Sequence, residues 1–307
     1  MEATVRIVTQ DEIARGAAEP QALRLPDPAI FFARRAARLR TLAASARPDA
    51  GFLGLIAALC DAQQVALDIH PAPAAPEPSR IELCRTHGFP LLGKDAARDA
   101  SWRNALASIV TRVSADSPQP VERVLRSLAT LDPARVEAIA DDVLRFDYAN
   151  LDPAAVPFVA AALQVHWLRC ATSLGEAAFA KLDTGNVCPV CGSPPVASVL
   201  SAGGAAPGSR YLHCVLCGAE WLRPRGQCTQ CESRAKLAYY HVDGTSAAVK
   251  AEACDDCRGY LKIFDLEKDA RLDPVADDLA TLALDVLMDE SGYQRASPNL
   301  FFVPGRS

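Results

Sequence analysis

Apolar positions along this 307-residue chain change their period close to residues 183–185. Before that break they recur at helical spacing. After it they form short runs cut by Cys, Gly and Pro, the pattern of strands and turns. Asp-Pro recurs where helical runs begin, at Asp27-Pro28, Asp132-Pro133, Asp152-Pro153 and Asp273-Pro274. Asp accepts from unpaired N–H groups as an N-cap and Pro presets φ at the first helical position, so a helix start is expected at each. Residues 30–44 set Phe31, Phe32, Leu39 and Leu42 against Arg34, Arg35, Arg38 and Arg40, while 52–69 place Phe52, Leu55, Ile56 and Leu59 on one side. Further helices are expected over 102–113, 121–131 and 133–146, with Pro71, Pro73, Pro76 and Pro78 forming a stiff, irregular linker. Residues 153–171 are apolar on nearly every face, as in the middle helix of a bundle, and His166 there reads as a core histidine. A last helix opens at Asp273, carries Val275, Leu279, Leu282, Val286 and Leu287 as its stripe, and stops at Gly292.

The strand-rich stretch is built twice on one plan. Strands are expected over 195–200, 210–213 and 220–222, with a Gly203-Gly204/Pro207-Gly208 turn, then over 237–242, 248–253 and 260–264, with a turn at Asp243-Gly244. Each set is punctuated by cysteine pairs. Eight of the eleven cysteines form four CxxC motifs: Cys188/Cys191, Cys214/Cys217, Cys228/Cys231 and Cys254/Cys257. Twenty-two residues separate the first two pairs, and 22 again the last two. A CxxC puts two thiolates on one tight knuckle, and two knuckles complete a tetrahedral four-sulfur shell around zinc or iron. Four knuckles therefore make two sites with nothing left over, one ion for each pair of motifs. Sequential pairing is expected, because each hairpin brings its own knuckles together; a cross-braced arrangement stays open. Four thiolates leave no coordination position for substrate, so such a site is structural or, with iron, a one-electron centre. Gly192 and Gly218 follow the second Cys of their knuckles as in rubredoxin, whereas Glu232 and Arg258 stand there in the second unit and match that pattern less well. Cys60, Cys84 and Cys170 are isolated thiols that read as small apolar fillers, with no base or acid placed to activate them.

The expected architecture is α+β. An all-helical domain (1–183) precedes a first ribbon unit (184–226), a second (227–270), and a C-terminal helix and tail (271–307) that pack on the rest; each unit would be zinc-ribbon or rubredoxin-like. Half the residues are apolar, enough for a substantial core, and the net charge is -5. Residues 184–265 hold eight Lys/Arg against seven Asp/Glu, too even a balance for tracking phosphates. Arg223 and Arg225, beside Trp221, are the sole local basic and aromatic cluster, and they carry the alternative of a zinc-ribbon module on nucleic acid or its machinery. The first twenty residues contain Glu2, Asp11, Glu12 and Glu19 and no apolar run, so no secretory signal is expected. Residues 153–168, the least polar stretch, fall short of the ~20 needed to span a bilayer. A soluble cytoplasmic protein without membrane insertion is expected, its thiols reduced and free for metal. No phosphate loop, nucleophile elbow or His/Glu metal helix is present, so no catalytic role is expected.

The runs Cys188-Pro-Val-Cys-Gly-Ser-Pro-Pro-Val-Ala-Ser198 and Arg210-Tyr-Leu-His-Cys-Val-Leu-Cys217 resemble the formate dehydrogenase accessory proteins of the FdhE type. So do Lys250-Ala-Glu-Ala-Cys-Asp-Asp-Cys257, Tyr260-Leu-Lys262, Val275-Ala-Asp-Asp-Leu279 and Pro157-Phe-Val-Ala-Ala-Ala-Leu-Gln-Val165, with Ala62-Gln-Gln64 more loosely. The likeness runs from about Phe31 to Phe302 and is densest after Val156. It implies a cytoplasmic, non-catalytic maturation factor that binds the catalytic subunit of respiratory formate dehydrogenase before export. That client carries molybdenum or tungsten, selenocysteine or cysteine, and an Fe–S cluster. The resemblance also implies rubredoxin-type iron at the eight cysteines named above.

Overall fold

The computed structural model describes residues 20–303, apart from 46, 95–97, 116, 183–184 and 204–206. The segment carrying the expectation about secretion and Gly204 of the first turn lie outside the described residues. The apolar stripes fold into helices close to the expected bounds: α1 (Phe31–Ala43), α2 (Ala50–Ile69), α4 (Trp102–Ser114), α5 (Gln119–Thr130), α6 (Pro133–Arg145) and α7 (Val156–Leu174). Burial follows the pattern. Phe32, Ala36 and Leu39 of α1 point inward, and α7 buries residues around its whole circumference from Val156 to Leu168. One helix among the described residues, α2, is long and apolar enough to cross a membrane. It packs here against α1, α4 and α7.

Two expectations about the helical half fail locally. The proline linker contains a helix, α3 (Pro78–His87), opened by Pro78 in its first turn and ended by Gly88 in the left-handed region (φ 65°). None of its residues is buried, so it carries no apolar period to be read. Of the Asp-Pro pairs, Asp132 caps as expected, accepting from Arg135 N at 3.0 Å. Asp27 and Asp152 instead close turns by accepting from Ala29 N and Ala154 N at 3.0 Å, and their helices start later. The same side-chain acceptor serves an Asx turn as well as a cap.

The strands form one eight-stranded sheet among the described residues: β1 (Leu23–Arg24), β2 (Pro195–Leu200), β3 (Arg210–Cys214), β4 (Glu220–Arg223), β5 (Leu237–Tyr240), β6 (Val249–Cys254), β7 (Gly259–Asp265) and β8 (Gln294–Arg295). Its order is β1-β4-β3-β2-β7-β6-β5. Each ribbon unit is an antiparallel three-strand meander, and the two join where β2 runs parallel to β7, Ser198 opposite Ile263 and Leu200 opposite Asp265. The outer half of β7 then pairs with β8. One apolar core runs from the bundle into the first unit and the C-terminal segment, so the ribbons are not separate beads.

The C-terminal helix breaks in two, α8 (Ala276–Leu279) and α9 (Leu282–Glu290). Buried Lys262 on β7 causes the break. Its ammonium takes the carbonyls of Asp278 and Thr281, each at 3.1 Å, along with Asp285 at 2.6 Å. Beyond that point the phase shifts: Leu284 and Met288 are buried, whereas Val286 and Leu287, expected in the stripe, are exposed. Gly292 ends the helix with φ +77°, and Tyr293 N donates to Met288 O at 2.9 Å.

Candidate metal centres

The two hairpins carry the knuckles together in sequential order. Cys188, Cys191, Cys214 and Cys217 form one cluster and Cys228, Cys231, Cys254 and Cys257 the other, with all sulfurs of a cluster within 4.8 Å of one another. Nearest pairs are 3.4 Å (Cys191–Cys214), 3.6 Å (Cys188–Cys217) and 3.7 Å (Cys228–Cys257 and Cys231–Cys254). Sulfurs bonded at ~2.3 Å around a tetrahedral ion stand ~3.8 Å apart, so both clusters have the size of a four-thiolate metal shell.

Local backbone chemistry builds the knuckles. Cys188 N donates to Ser193 O (2.9 Å) and Gly192 N to Cys188 O (2.8 Å); Cys228 N to Ser233 O (2.8 Å) and Glu232 N to Cys228 O (3.1 Å) repeat the arrangement. Amides aim at sulfur: Leu216 N and Cys217 N donate to Cys214 Sγ at 3.4 Å, and Gln230 N to Cys228 Sγ at 3.4 Å. The residue after the second Cys has positive φ in all four knuckles, at Gly192 (72°), Gly218 (72°), Glu232 (61°) and Arg258 (56°). The second unit thus makes the same turn without glycine.

Electrostatics favour a cation. Burial pushes Cys188 and Cys217 upward, and Cys228 to about 12. Against that same burial, hydrogen bonds from Cys188, Cys214 and Cys217 hold Cys191 well below the ordinary thiol value, and a backbone N–H of Ser233 chiefly lowers Cys231. Crowding and burial thus work against ionising these thiols together, and four thiolates side by side require a cation among them.

The surroundings of the two clusters differ. Every cysteine of the first is at most 1% exposed, and the helical half buttresses its knuckles directly. Leu92 N donates to Val190 O (2.9 Å), and Gln164 Nε2 on α7 donates to Val215 O (2.9 Å). Gln164 accepts in turn from Gln63 Nε2 (2.9 Å), which also reaches Ala161 O (3.0 Å). Sequence reasoning missed this buried relay, although a glutamine inside an otherwise apolar helix was the available signal. In the second cluster Cys231 and Cys257 reach the surface, ringed by ion pairs such as Arg258–Asp255 (2.8 Å) and Lys236–Asp256 (3.4 Å).

The remaining candidates fall away. Trp221 is buried and donates to Gly185 O at 3.0 Å, and Arg223 bonds Glu232 at 2.9 Å across the two units, which leaves Arg225 as the exposed base of the basic and aromatic cluster. His166 is buried as expected. Contrary to expectation a possible base does stand beside Cys170, with His166 Nε2 at 3.8 Å from its sulfur. Burial holds His166 near 4 and lifts Cys170 to about 11, so the pair stays neutral and the thiol inert.

Family models for the FdhE N-terminal, central and C-terminal domains match residues 20–184, 187–225 and 227–302. The FdhE homologue of Pseudomonas aeruginosa is 40% identical, with 90% of this chain and 91% of that protein aligned. The FdhE protein of Escherichia coli is 36% identical over 98% of this chain and 99% of its own. The chain belongs to the FdhE family. The crystal structure of the FdhE protein from Pseudomonas aeruginosa superposes with a TM-score of 0.85 at 39% identity, covering 93% of this chain and all of that one. A helical region followed by a sheet with two four-cysteine clusters is thus an FdhE fold.

Proposed function

We propose that this protein is a non-catalytic accessory factor for formate dehydrogenase, acting in the cytoplasm by binding that enzyme's catalytic subunit. The eight clustered cysteines are its metal ligands, holding two ions of iron or zinc. The observation that carries this reading is the pair of four-thiol clusters on an FdhE scaffold. Their closed shells leave no site for a substrate, and the FdhE name itself ties its bearers to formate dehydrogenase. The metal supplies folding free energy to small units with little core of their own or, as iron, a one-electron centre. The four segments 1–183, 184–226, 227–270 and 271–307 serve as a largely helical body that lends β1 to the sheet, two ribbon units and a closing C-terminal strap. The nucleic-acid alternative rests on Arg223 and Arg225, and of these Arg223 is paired with Glu232.

Capture of the tagged protein from nuclease-treated lysate of anaerobically grown cells tests the reading. The expected companion is a formate dehydrogenase catalytic subunit. Recovery of ribosomal or transcription proteins alone overturns it.

A further inference from the structure

We propose that the two centres divide the work: the second exchanges its metal with external ligands, and the first retains its own as a permanent part of the fold. This deepens the two-metal reading above and rests on it.

A closed four-thiolate shell gives up its ion by ligand substitution. An incoming donor atom forms a bond to the metal as one cysteine thiolate releases its own, and no electron changes hands. The incoming ligand must reach the ion past a sulfur. At the first centre there is no approach, because Cys188, Cys191, Cys214 and Cys217 are 0–1% exposed. Phe31 closes one side so tightly that a Cβ on Gly218 would come within 2.4 Å of its ring. Pro90 lies in contact range of Gly192 on another. Behind the knuckles, the bonds from Leu92 and Gln164 fix Val190 and Val215 to the helical half.

The second centre is enclosed on the side of Cys228 and Cys254 and open on the other. Cys231 and Cys257 are exposed, one from each knuckle. The positions matching Gly192 and Gly218 carry Glu232 and Arg258, both exposed, with Arg258 reaching away from the sulfurs to Ser291 O (2.8 Å) and the Tyr293 ring (3.9 Å). Buried Arg210 holds Gln227 and Thr229 beside Cys228, but around the two exposed sulfurs the supports are exposed ion pairs, Arg258–Asp255 and Lys236–Asp256, and the Gln230 side chain at 3.5 Å from Cys257 Sγ. Loss of such outer support costs ~10–100-fold in metal affinity where it has been removed from other sites. Substitution at Cys231 or Cys257 therefore runs ahead of any opening at the first centre.

The test uses full-length protein loaded with zinc, its content verified at two equivalents, then mixed with excess 4-(2-pyridylazo)resorcinol. The expected release has two phases of one equivalent each, differing in rate by at least ~10-fold. Cys231→Ser abolishes the fast phase and leaves the slow equivalent in place. Gln164→Leu, which removes the positioning bond to Val215 together with the one from Gln63 and touches no cysteine, accelerates the slow phase and leaves the fast one unchanged. Release of both ions in a single phase overturns the proposal, as does a fast equivalent that survives Cys231→Ser. Should Cys231→Ser fail to fold, a Gln164→Leu protein that accelerates the fast phase is equally fatal. A native protein that never holds two ions defeats both this proposal and the two-metal reading, and the metal count taken before chelator is added tells that failure from the others.

Discussion

Arg210 ties the two ribbon units together through buried contacts, and its energetics can be worked from them. Its Nε donates to Ser198 Oγ (2.8 Å), Nη1 to Pro224 O (3.1 Å) and Gln227 O (2.8 Å), and Nη2 to Thr229 Oγ1 (2.8 Å) and Glu252 Oε1 (2.7 Å). Its donors thus reach β2, the connection into the second unit and β6. Both charges of the Arg210–Glu252 pair are almost fully buried, with side chains 2% and 4% exposed. Burial pushes Arg210 down more than Glu252 lifts it, and pushes Glu252 up more than Arg210 and the Tyr239 hydroxyl lower it. Desolvation outweighs attraction on both sides, so the intact pair adds little net stability, while breaking it strands a buried charge.

Arg210→Met should therefore cost about 3–5 kcal/mol. Glu252→Leu should cost about 3 kcal/mol, the low end, because Arg210 keeps four other acceptors. In the double variant no charge is left unpaired, and its cost should fall short of the sum by about 2–3 kcal/mol. Guanidinium unfolding followed by fluorescence of Trp102, Trp167 and Trp221, at one fixed free metal concentration, measures the four corners of the cycle. Single-variant costs that add to within ~0.5 kcal/mol would refute the reasoning. Arg210→Met also frees Gln227 and Thr229, the neighbours of Cys228, so metal should leave the second centre faster while the first is unaffected.

Two further predictions concern buried charge and pH. Asp278 is fully buried; burial works upward on its pKa, but Lys262 and Arg295 outweigh it and hold the carboxyl below its ordinary range. A depressed Asp stabilises above its unfolded pKa of ~3.9 and loses that contribution as pH falls through the folded value. Asp278→Asn should remove this acid dependence and cost about 3 kcal/mol, since Asp285 still faces both cations, lowering Tm by roughly 6–12 °C; an unchanged Tm at neutral pH would exclude a structural role for the charge. His166 tilts stability in the same direction, in a higher pH window. Burial holds its pKa near 4, so between about pH 4 and the unfolded ~6.5 the unfolded chain binds more protons and stability rises with pH, by on the order of 3 kcal/mol. His166→Phe should flatten Tm between pH 4.5 and 6.5, and an undiminished slope would mean that other groups carry it.

The bundle and the cysteine clusters were legible in the sequence because their signals are local. A CxxC knuckle needs four consecutive residues, and the 22-residue spacing implies a hairpin long enough to bring two knuckles together. What escaped depends on contacts distant in the chain. The parallel pairing of β2 with β7 leaves no mark on either strand beyond their apolar character. The phase of α9 is set by Lys262 on β7, an ammonium whose partners arrive from 16 to 23 residues further along. Gln164 could be recognised as a polar residue in an apolar helix, but its partner Val215 O belongs to another half of the molecule.

The glycines after the knuckles show how one residue supports two physical readings. Glycine there relieves the left-handed backbone, and on that argument Glu232 and Arg258 weaken the second unit as a metal site. Yet all four positions share that backbone, with φ between 56° and 72°. A non-glycine residue bears it at about 1–2 kcal/mol, and both do so within otherwise equivalent knuckles. The cost of a side chain at Gly218 is of another kind, because its Cβ would collide with Phe31, which packs the helical half onto the first centre. At Gly218 a second body presses on the knuckle and leaves no room for a side chain. Glu232 and Arg258 stand where their side chains can extend into exposed space. The departure from the rubredoxin pattern thus reports which centre faces outward, and says nothing against its capacity for metal.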